Sequence, residues 1–160
     1  MNNLIGFEND RWYKIVSVAD NTVVQVEGTK LICAPEDETK RDYQRFQAIA
    51  QDDGNYRLTS KFQKSTNFIQ VWDFLPHRSL LIQKKKSAAE ISTQIWKCEN
   101  VFGLNCIFFV ISVPTPNKCL KNMNSSEKGT GQQIKVVEKT DAQMTGDSYT
   151  HWRLDPEPLA

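Results

Sequence analysis

The chain has 160 residues, and its 20 lysines and arginines against 19 aspartates and glutamates leave a formal net charge of +1. This length fits one domain, residues 1–160, that buries roughly 70% of its unfolded surface, and a near-neutral chain has no field that attracts nucleic acid or a membrane surface. No segment approaches the ~20 apolar residues of a membrane-spanning helix, and the start MNNLIGFENDR lacks the regions of a signal peptide. We therefore expect a protein that is cytoplasmic or released without a signal peptide, with no nucleic-acid binding and no membrane insertion.

Strand signals dominate the chain. Short runs rich in Val, Ile, Phe and Tyr recur between turn residues at a spacing of about 8–12 residues, a pattern typical of an all-β domain. No stretch keeps the periodicity of an amphipathic helix over three turns. The predicted strands are twelve in number and lie at 12–18, 22–27, 30–34, 43–50, 55–62, 67–72, 79–85, 93–99, 105–112, 118–123, 133–138 and 150–154.

A short phrase recurs once in each third of these strands. In each copy a polar residue stands two places before an aromatic residue, as in Gln44-Arg45-Phe46, Gln94-Ile95-Trp96 and Thr150-His151-Trp152. A four-strand unit of this size cannot bury its own apolar face, so three units are expected to share one core. The ring of each phrase then fills one of three equivalent places, where full burial stabilises by roughly 1.5–3 kcal/mol. The three pseudo-repeats are placed at about 12–50, 55–101 and 105–156.

A chain of three such units, with Q-x-aromatic on the fourth strands, resembles the ricin-B-type β-trefoil. The stretches YKIVSVADNTVVQV and QRFQAIAQDDGNYRLTSKFQKSTNFIQV are similar to the first hairpin and the Q-x-W crossing of that family, and the likeness covers residues 12–154. The resemblance implies an all-β fold, a β-trefoil of twelve strands in three pseudo-repeats. It does not select one function, because this fold hosts sugar binders, protease inhibitors and cytokines.

The residues that this family uses to bind sugar are replaced here. Sugar-binding members carry an acidic residue after the apolar pair of the second strand, an aromatic residue on the third strand, and Asn before the Gln of the triplet. The acidic position holds Gln25, Gln70 and Lys121, the Asn position holds Tyr43, Thr93 and Tyr149, and the third-strand segments KLICA, SLLIQ and IKVVE contain no aromatic residue. A shallow sugar site needs a carboxylate for ring hydroxyls and a flat apolar face for C–H groups. We therefore predict a non-catalytic, lectin-like module that binds carbohydrate through a non-standard site.

The connection 72–78 offers the best material for such a site. The strand pattern places it in a loop, and it groups stacking faces with a carboxylate, an imidazole and a guanidinium. The predicted ligand-binding residues are Trp72, Asp73, His77 and Arg78. Alternatively, Trp72 and Phe74 pack at the rim of the barrel and the charged residues are solvated.

A second interpretation is a protease inhibitor that acts through its loops. The start GFENDRWYKI resembles the opening of the mushroom cysteine-protease inhibitors of the macrocypin and clitocypin type, which share this fold. That resemblance implies that loops between the first strand pairs block papain-like enzymes and that a second-repeat loop presents Asn to legumain. The matching inhibitory-loop residues are Asp20, Asn21 and Asn67, and Asn67 is equally explained as an ordinary turn residue.

A third interpretation is an interleukin-type cytokine. The stretch FFVISVPTPNKCL resembles the pattern of Ser, Pro and an apolar pair near the end of that family, but cytokine trefoils do not keep the Q-x-aromatic triplets.

An enzyme is not expected, and no catalytic residue is proposed, since the chain has no Gly-rich phosphate loop, no HExxH and no G-x-S-x-G. The expected partner is a glycan or a target protein such as a protease.

The cysteines and histidines predict no metal site and no cofactor. Four cysteines stand at 33, 98, 106 and 119 without CxxC spacing, and the chain has only two histidines. Cysteines among apolar neighbours behave as small hydrophobes, so we expect buried free thiols in a reducing compartment and no disulfide. His151, between Thr150 and Trp152 on a predicted strand, is expected to point away from the core.

Overall fold

The computed structural model describes most of the chain. The described residues are 6–28, 30–51, 54–61, 67–74, 77–84, 95–101, 108–112, 118–124, 129, 131–138 and 147–158. For the strands between 67 and 84 and at 108–112, the description covers the backbone course and the pairing. Among all these residues, no helix is long and apolar enough to cross a membrane.

The described residues form a protein of β-strands with two short 3₁₀ helices. The strands are β1 (Trp12–Ser17), β2 (Val23–Glu27), β3 (Lys30–Ala34), β4 (Phe46–Ala50), β5 (Tyr56–Ser60), β6 (Asn67–Phe74), β7 (His77–Lys84), β8 (Trp96–Asn100), β9 (Phe108–Ser112), β10 (Lys118–Lys121), β11 (Lys135–Glu138) and β12 (Trp152–Pro156). The 3₁₀ helices are Glu38–Tyr43 and Ser148–Thr150. The prediction of an all-β domain is confirmed.

Six of the strands close into an antiparallel barrel in the order β1, β4, β5, β8, β9 and β12, with β12 returning to β1. The other six form three hairpins, β2–β3, β6–β7 and β10–β11. These hairpins pair with one another through Lys30 and Leu81, Lys135 and Ser79, and Ile32 and Gln133. A closed barrel leaves no strand edge unpaired. The barrel with its cap of three hairpins is the architecture of the β-trefoil.

The shared core contains the three rings that the repeated phrase predicted. Phe46, Trp96 and Trp152 are each 0% exposed and belong to one cluster. Each is the first residue of its strand, at the start of β4, β8 and β12 respectively. The indole Nε1 of Trp152 also donates a hydrogen bond to the Leu120 carbonyl, at 3.1 Å. The prediction that these rings fill equivalent places in one interior is therefore confirmed.

Two strands begin later than the sequence predicted, because a 3₁₀ helix occupies the residues before each of them. Strands were predicted to start at residues 43 and 150, but β4 begins at Phe46 and β12 at Trp152. The reason is local capping, because Asp37 accepts a hydrogen bond from the Thr39 amide and Asp147 accepts one from the Tyr149 amide. The prediction for His151 was wrong as well. It ends the second 3₁₀ helix instead of lying on a strand, and it is only 3% exposed.

The segment before β1 packs against the barrel, which the sequence pattern did not predict. The buried ring of Phe7 lies edge-on to Tyr13 at 5.6 Å between centroids and 5.7 Å from the Tyr56 ring. The Glu8 amide donates to the Tyr13 hydroxyl at 2.7 Å. Burial raises the pKa of Tyr13 to about 12, so this hydroxyl stays neutral at physiological pH.

The cysteines of the described residues are free thiols. Cys33 and Cys119 are buried and Cys98 is half-buried. Burial raises the pKa of the Cys33 and Cys98 thiols, which keeps both protonated and unreactive. Cys106 lies outside the described residues.

Candidate ligand-binding site

A pocket of about 300 Å³ opens in the first repeat. One wall is the end of β2 with the turn that follows it, and the other wall is the first 3₁₀ helix. Its lining residues are Gln25, Val26, Glu27, Gly28, Lys40 and Tyr43. This is a concave surface with polar groups, which is the usual form of a small-ligand site.

Tyr43 gives the pocket an exposed aromatic ring. The residue is 36% exposed, and Val18 is the one other large apolar residue with comparable exposure among the described side chains. Tyr43 is the last residue of the helix, whose first turn is capped by Asp37. A ring held at a helix end and open to solvent can serve as a stacking platform.

The two walls are joined by the triplet glutamine of the first repeat. Gln44 is 0% exposed, and its Nε2 donates to Gln25 Oε1 at 2.8 Å and to the Pro35 carbonyl at 3.0 Å. Its Oε1 accepts from the Asp37 amide at 3.0 Å. Buried amide groups with satisfied hydrogen bonds fix the position of both elements. The pocket is therefore preformed.

The corresponding place in the third repeat is bridged differently. There Lys121 stands where Gln25 stands in the first repeat, and its Nζ lies 3.1 Å from Asp147 Oδ2. Thr150 replaces the triplet glutamine, and its hydroxyl donates to the Asp147 carbonyl at 2.7 Å. In the third repeat, a partly exposed ion pair therefore takes the place of the hydrogen bond between Gln44 and Gln25. The first and third repeats differ at these polar positions.

The four predicted ligand-binding residues lie on the β6–β7 hairpin and not in a loop. The strands pair as far as Phe74 and His77, with Asp73 opposite Arg78 and Trp72 opposite Ser79. The prediction of a loop at 72–78 was therefore wrong for residues 72–74 and 77–78, which belong to β6 and β7. Leu75 and Pro76 lie outside the described residues.

The pairing does bring these four residues to one end of one hairpin. This hairpin has eight paired positions, against five in β2–β3 and four in β10–β11. The role of these four residues in ligand binding stays a prediction.

The predicted inhibitory residues Asp20 and Asn21 lie in a tight turn between β1 and β2. The Ser17 amide donates to the Thr22 carbonyl at 2.8 Å, and the Asn21 amide donates to the Ser17 carbonyl at 2.9 Å. Asn21 has φ of 62°, a left-handed conformation that Asn tolerates. Asn67 is the first residue of β6 and pairs with Lys84, so its description as a turn residue was wrong.

Asp20 joins the first repeat to the third. Its Oδ1 accepts from the Thr22 amide and hydroxyl at 3.1 and 2.6 Å and from Asn122 Nδ2 at 3.0 Å, while its Oδ2 accepts from Asn124 Nδ2 at 3.2 Å. Partial burial alone would raise the pKa of this carboxyl, but the hydrogen bonds from Thr22, Asn122 and Asn124 outweigh it and lower the pKa below its ordinary value.

We predict that the contribution of the Asp20 carboxylate to folding stability is lost in acid. Because its pKa is lower in the folded protein than in the unfolded chain, where it is about 3.9, its contribution is complete above that value and is lost as pH falls through the folded pKa. We expect Asp20→Asn to lower the urea midpoint at pH 7, and the difference from the unaltered protein to shrink by pH 2. A midpoint difference of the same size at both pH values would contradict this account.

Metal binding finds no support in the described part of the chain. No group of three or more His, Cys, Asp or Glu side chains there is arranged to hold a metal ion. The pocket is lined by hydrogen-bonding side chains and by the Tyr43 ring, a combination that suits a polar organic ligand.

Comparisons with known proteins agree on the fold. No protein-family model and no curated protein sequence matches this chain. Among solved structures, the chain is similar to ThreeFoil, a designed threefold-symmetric protein, with a TM-score of 0.72 and 16% identity over 90% of this chain and 97% of that one. It is similar to the Macrolepiota procera ricin B-like lectin in complex with lactose, with a TM-score of 0.72 and 14% identity over 92% and 96%.

The C-terminal half of the earthworm R-type lectin, in complex with GalNAc, is also similar, with a TM-score of 0.62 and 15% identity over 92% of this chain and 99% of that one. At such low identities these likenesses show the fold alone. The fold is a β-trefoil of the kind found in ricin B-like lectins, which confirms the resemblance drawn from the sequence. The inhibitor subgroup has no such support.

Proposed function

We propose that this protein is a non-catalytic carbohydrate-binding module that binds a glycan in the pocket of the first repeat. The observation that carries the proposal is the exposed ring of Tyr43 in a preformed polar pocket. Sugar sites combine a flat apolar face for C–H groups with a carboxylate for hydroxyls, and the proposed site has Tyr43 for the first and Glu27 for the second. Two structures of the same fold are of lectins with lactose and GalNAc.

In this proposal, the carboxylate and the aromatic ring of the sugar site stand at sequence positions that differ from those the family uses. The family has a carboxylate on the second strand at the position of Gln25 and an aromatic residue on the third strand. Here the carboxylate of Glu27 is two residues further along β2, and the ring of Tyr43 occupies the position before the triplet glutamine. The replacements at the usual positions therefore do not exclude sugar binding.

The first test is a glycan array followed by titration of the best glycan against purified variants. We expect Tyr43→Ala to weaken binding by about tenfold or more, equal to about 1.4 kcal/mol, because it removes the stacking face. Tyr43→Phe keeps the ring and is expected to retain most of the affinity. Since Tyr43 is partly exposed, neither change should prevent folding.

Trp72→Ala separates this site from the hairpin site that the sequence predicted. If glycan binding survives Tyr43→Ala and is lost in Trp72→Ala, the ligand site is the end of the β6–β7 hairpin with Trp72, Asp73, His77 and Arg78. If no glycan binds and the protein inhibits papain or legumain, the carbohydrate proposal is wrong and the inhibitor interpretation replaces it.

A further inference from the structure

The charged residues of the first repeat include some that form ion pairs and some that do not. Several cations and carboxylates pair at short range, within the repeat or with Glu157. The ion pairs are Lys14–Glu36 at 3.2 Å, Arg41–Glu157 at 2.7 Å and Arg45–Glu157 at 2.9 Å. Glu27 and Lys40 both line the pocket, yet within the described residues neither belongs to an ion pair.

The neighbouring carboxylate of Asp37 does not neutralise Lys40. Asp37 caps the helix, and its Oδ1 accepts from the Thr39 amide at 2.9 Å and the Thr39 hydroxyl at 2.7 Å. These hydrogen bonds are the main cause that lowers the pKa of Asp37, and the nearby charge of Lys40 acts in the same direction. Asp37 is not among the lining residues. The ammonium group of Lys40 therefore remains available to a ligand.

Gly28 lines the edge of the pocket beside Glu27. Gly28 has φ of 66°, and a Cβ placed on it would contact nothing within 4 Å. Across the pocket, Lys40 lies at a kink in the helix, with φ of −112° and ψ of 21°. A ligand that enters here meets a carboxylate on one wall and an ammonium group on the other, with the Tyr43 ring on the helix side. A neutral sugar would satisfy Glu27 and leave Lys40 without an anion.

We infer that the monosaccharide bound in this pocket carries a carboxylate of its own, as uronic and sialic acids do. This inference rests on the proposed function and names the class of its ligand. The sugar carboxylate pairs with Lys40, the ring hydroxyls donate to Glu27, and the C–H face packs on Tyr43. A charge-assisted hydrogen bond between an ammonium group and a carboxylate is stronger than a neutral one, so it decides between acidic and neutral sugars.

The test is a pair of sugars that differ only in this group. Methyl β-D-glucuronide and methyl β-D-glucoside are titrated against the full chain by calorimetry at low and at high salt. We expect at least about a tenfold preference for the glucuronide at low salt, equal to about 1.4 kcal/mol. The preference should shrink at high salt, because exposed charges are screened.

Lys40→Gln is expected to abolish the preference, because it removes the ammonium group that pairs with the sugar carboxylate. Glu27→Gln should weaken the glucoside, whose hydroxyls lose an acceptor, and should weaken the glucuronide less, because the repulsion between the two carboxylates is removed. Lys97→Gln, on β8 and away from the pocket lining, is the matched control and should change neither affinity.

Two results would overturn the inference while the proposed function stands. One is equal affinity of the unaltered protein for the two sugars, and the other is an acid preference that persists in Lys40→Gln. A different result marks failure of the proposed function itself, namely sugar binding that is untouched by Tyr43→Ala, or no binding of either sugar or of any glycan on the array.

Discussion

Trp152→Ala is expected to lower the free energy of unfolding by about 3–5 kcal/mol. The ring is 0% exposed in the shared core, so its removal leaves a cavity, and the hydrogen bond from its Nε1 to the Leu120 carbonyl at 3.1 Å is lost as well. Urea unfolding at pH 7 and 25 °C, followed by tryptophan fluorescence and circular dichroism, measures the change. A loss of this size would be a large fraction of the stability of a typical domain.

Two variants serve as comparisons for this prediction. Trp96→Ala should cost a similar amount, because Trp96 fills an equivalent place and is also 0% exposed. Tyr43→Ala should cost far less, since its ring is open to solvent. If all three variants unfolded at the same urea concentration, the assignment of the two tryptophans to one interior would be contradicted.

Glu157→Ala is expected to lower the free energy of unfolding by about 1.5–3 kcal/mol. Glu157 follows β12 and closes the barrel at the C-terminal side, where its amide donates to the Trp12 carbonyl at 2.8 Å. Its Oε1 accepts from Arg45 Nε at 2.9 Å and from Arg41 at 2.7 Å. The Arg45 side chain is only 4% exposed, so removal of this carboxylate leaves a buried cation with weaker partners.

Glu38→Ala is the matched control for Glu157→Ala. Glu38 pairs with Arg41 at 3.6 Å, but its side chain is largely exposed. Exposed ion pairs contribute about 0–1 kcal/mol, so the urea midpoint should barely change. If both variants lost the same free energy of unfolding, the burial of Arg45 would not explain the effect of Glu157→Ala.

The sequence predicted the core because the core has a strong local signal. Large rings recur at 46, 96 and 152, once in each predicted repeat, and a core shared by three units accounts for all three. Runs of β-branched and aromatic residues between turn residues also located the strands of the barrel. Their ends were less predictable, since the Asp37 and Asp147 caps convert the first residues of two predicted strands into 3₁₀ turns.

The pocket could not be predicted in the same way. In the sequence, Tyr43 stands out only as a departure from the family pattern, and no motif marks Glu27. The two residues line one pocket because Gln44 ties the helix to β2 through Gln25, a contact between residues 19 positions apart. Nothing in the local spacing of these residues indicates that contact. Residues 72–78 group more aromatic and charged side chains in the sequence, but β6 and β7 pair as far as Phe74 and His77.

Titration of the ¹⁵N-labelled chain with lactose and methyl β-D-glucuronide, followed by amide chemical shifts, locates the sugar site on the protein. We expect the largest shifts at the pocket residues Glu27, Gly28, Lys40 and Tyr43. Shifts confined to residues 72–78 would move the site to the hairpin. The absence of any shift with either sugar, after an array without a positive glycan, would contradict the account.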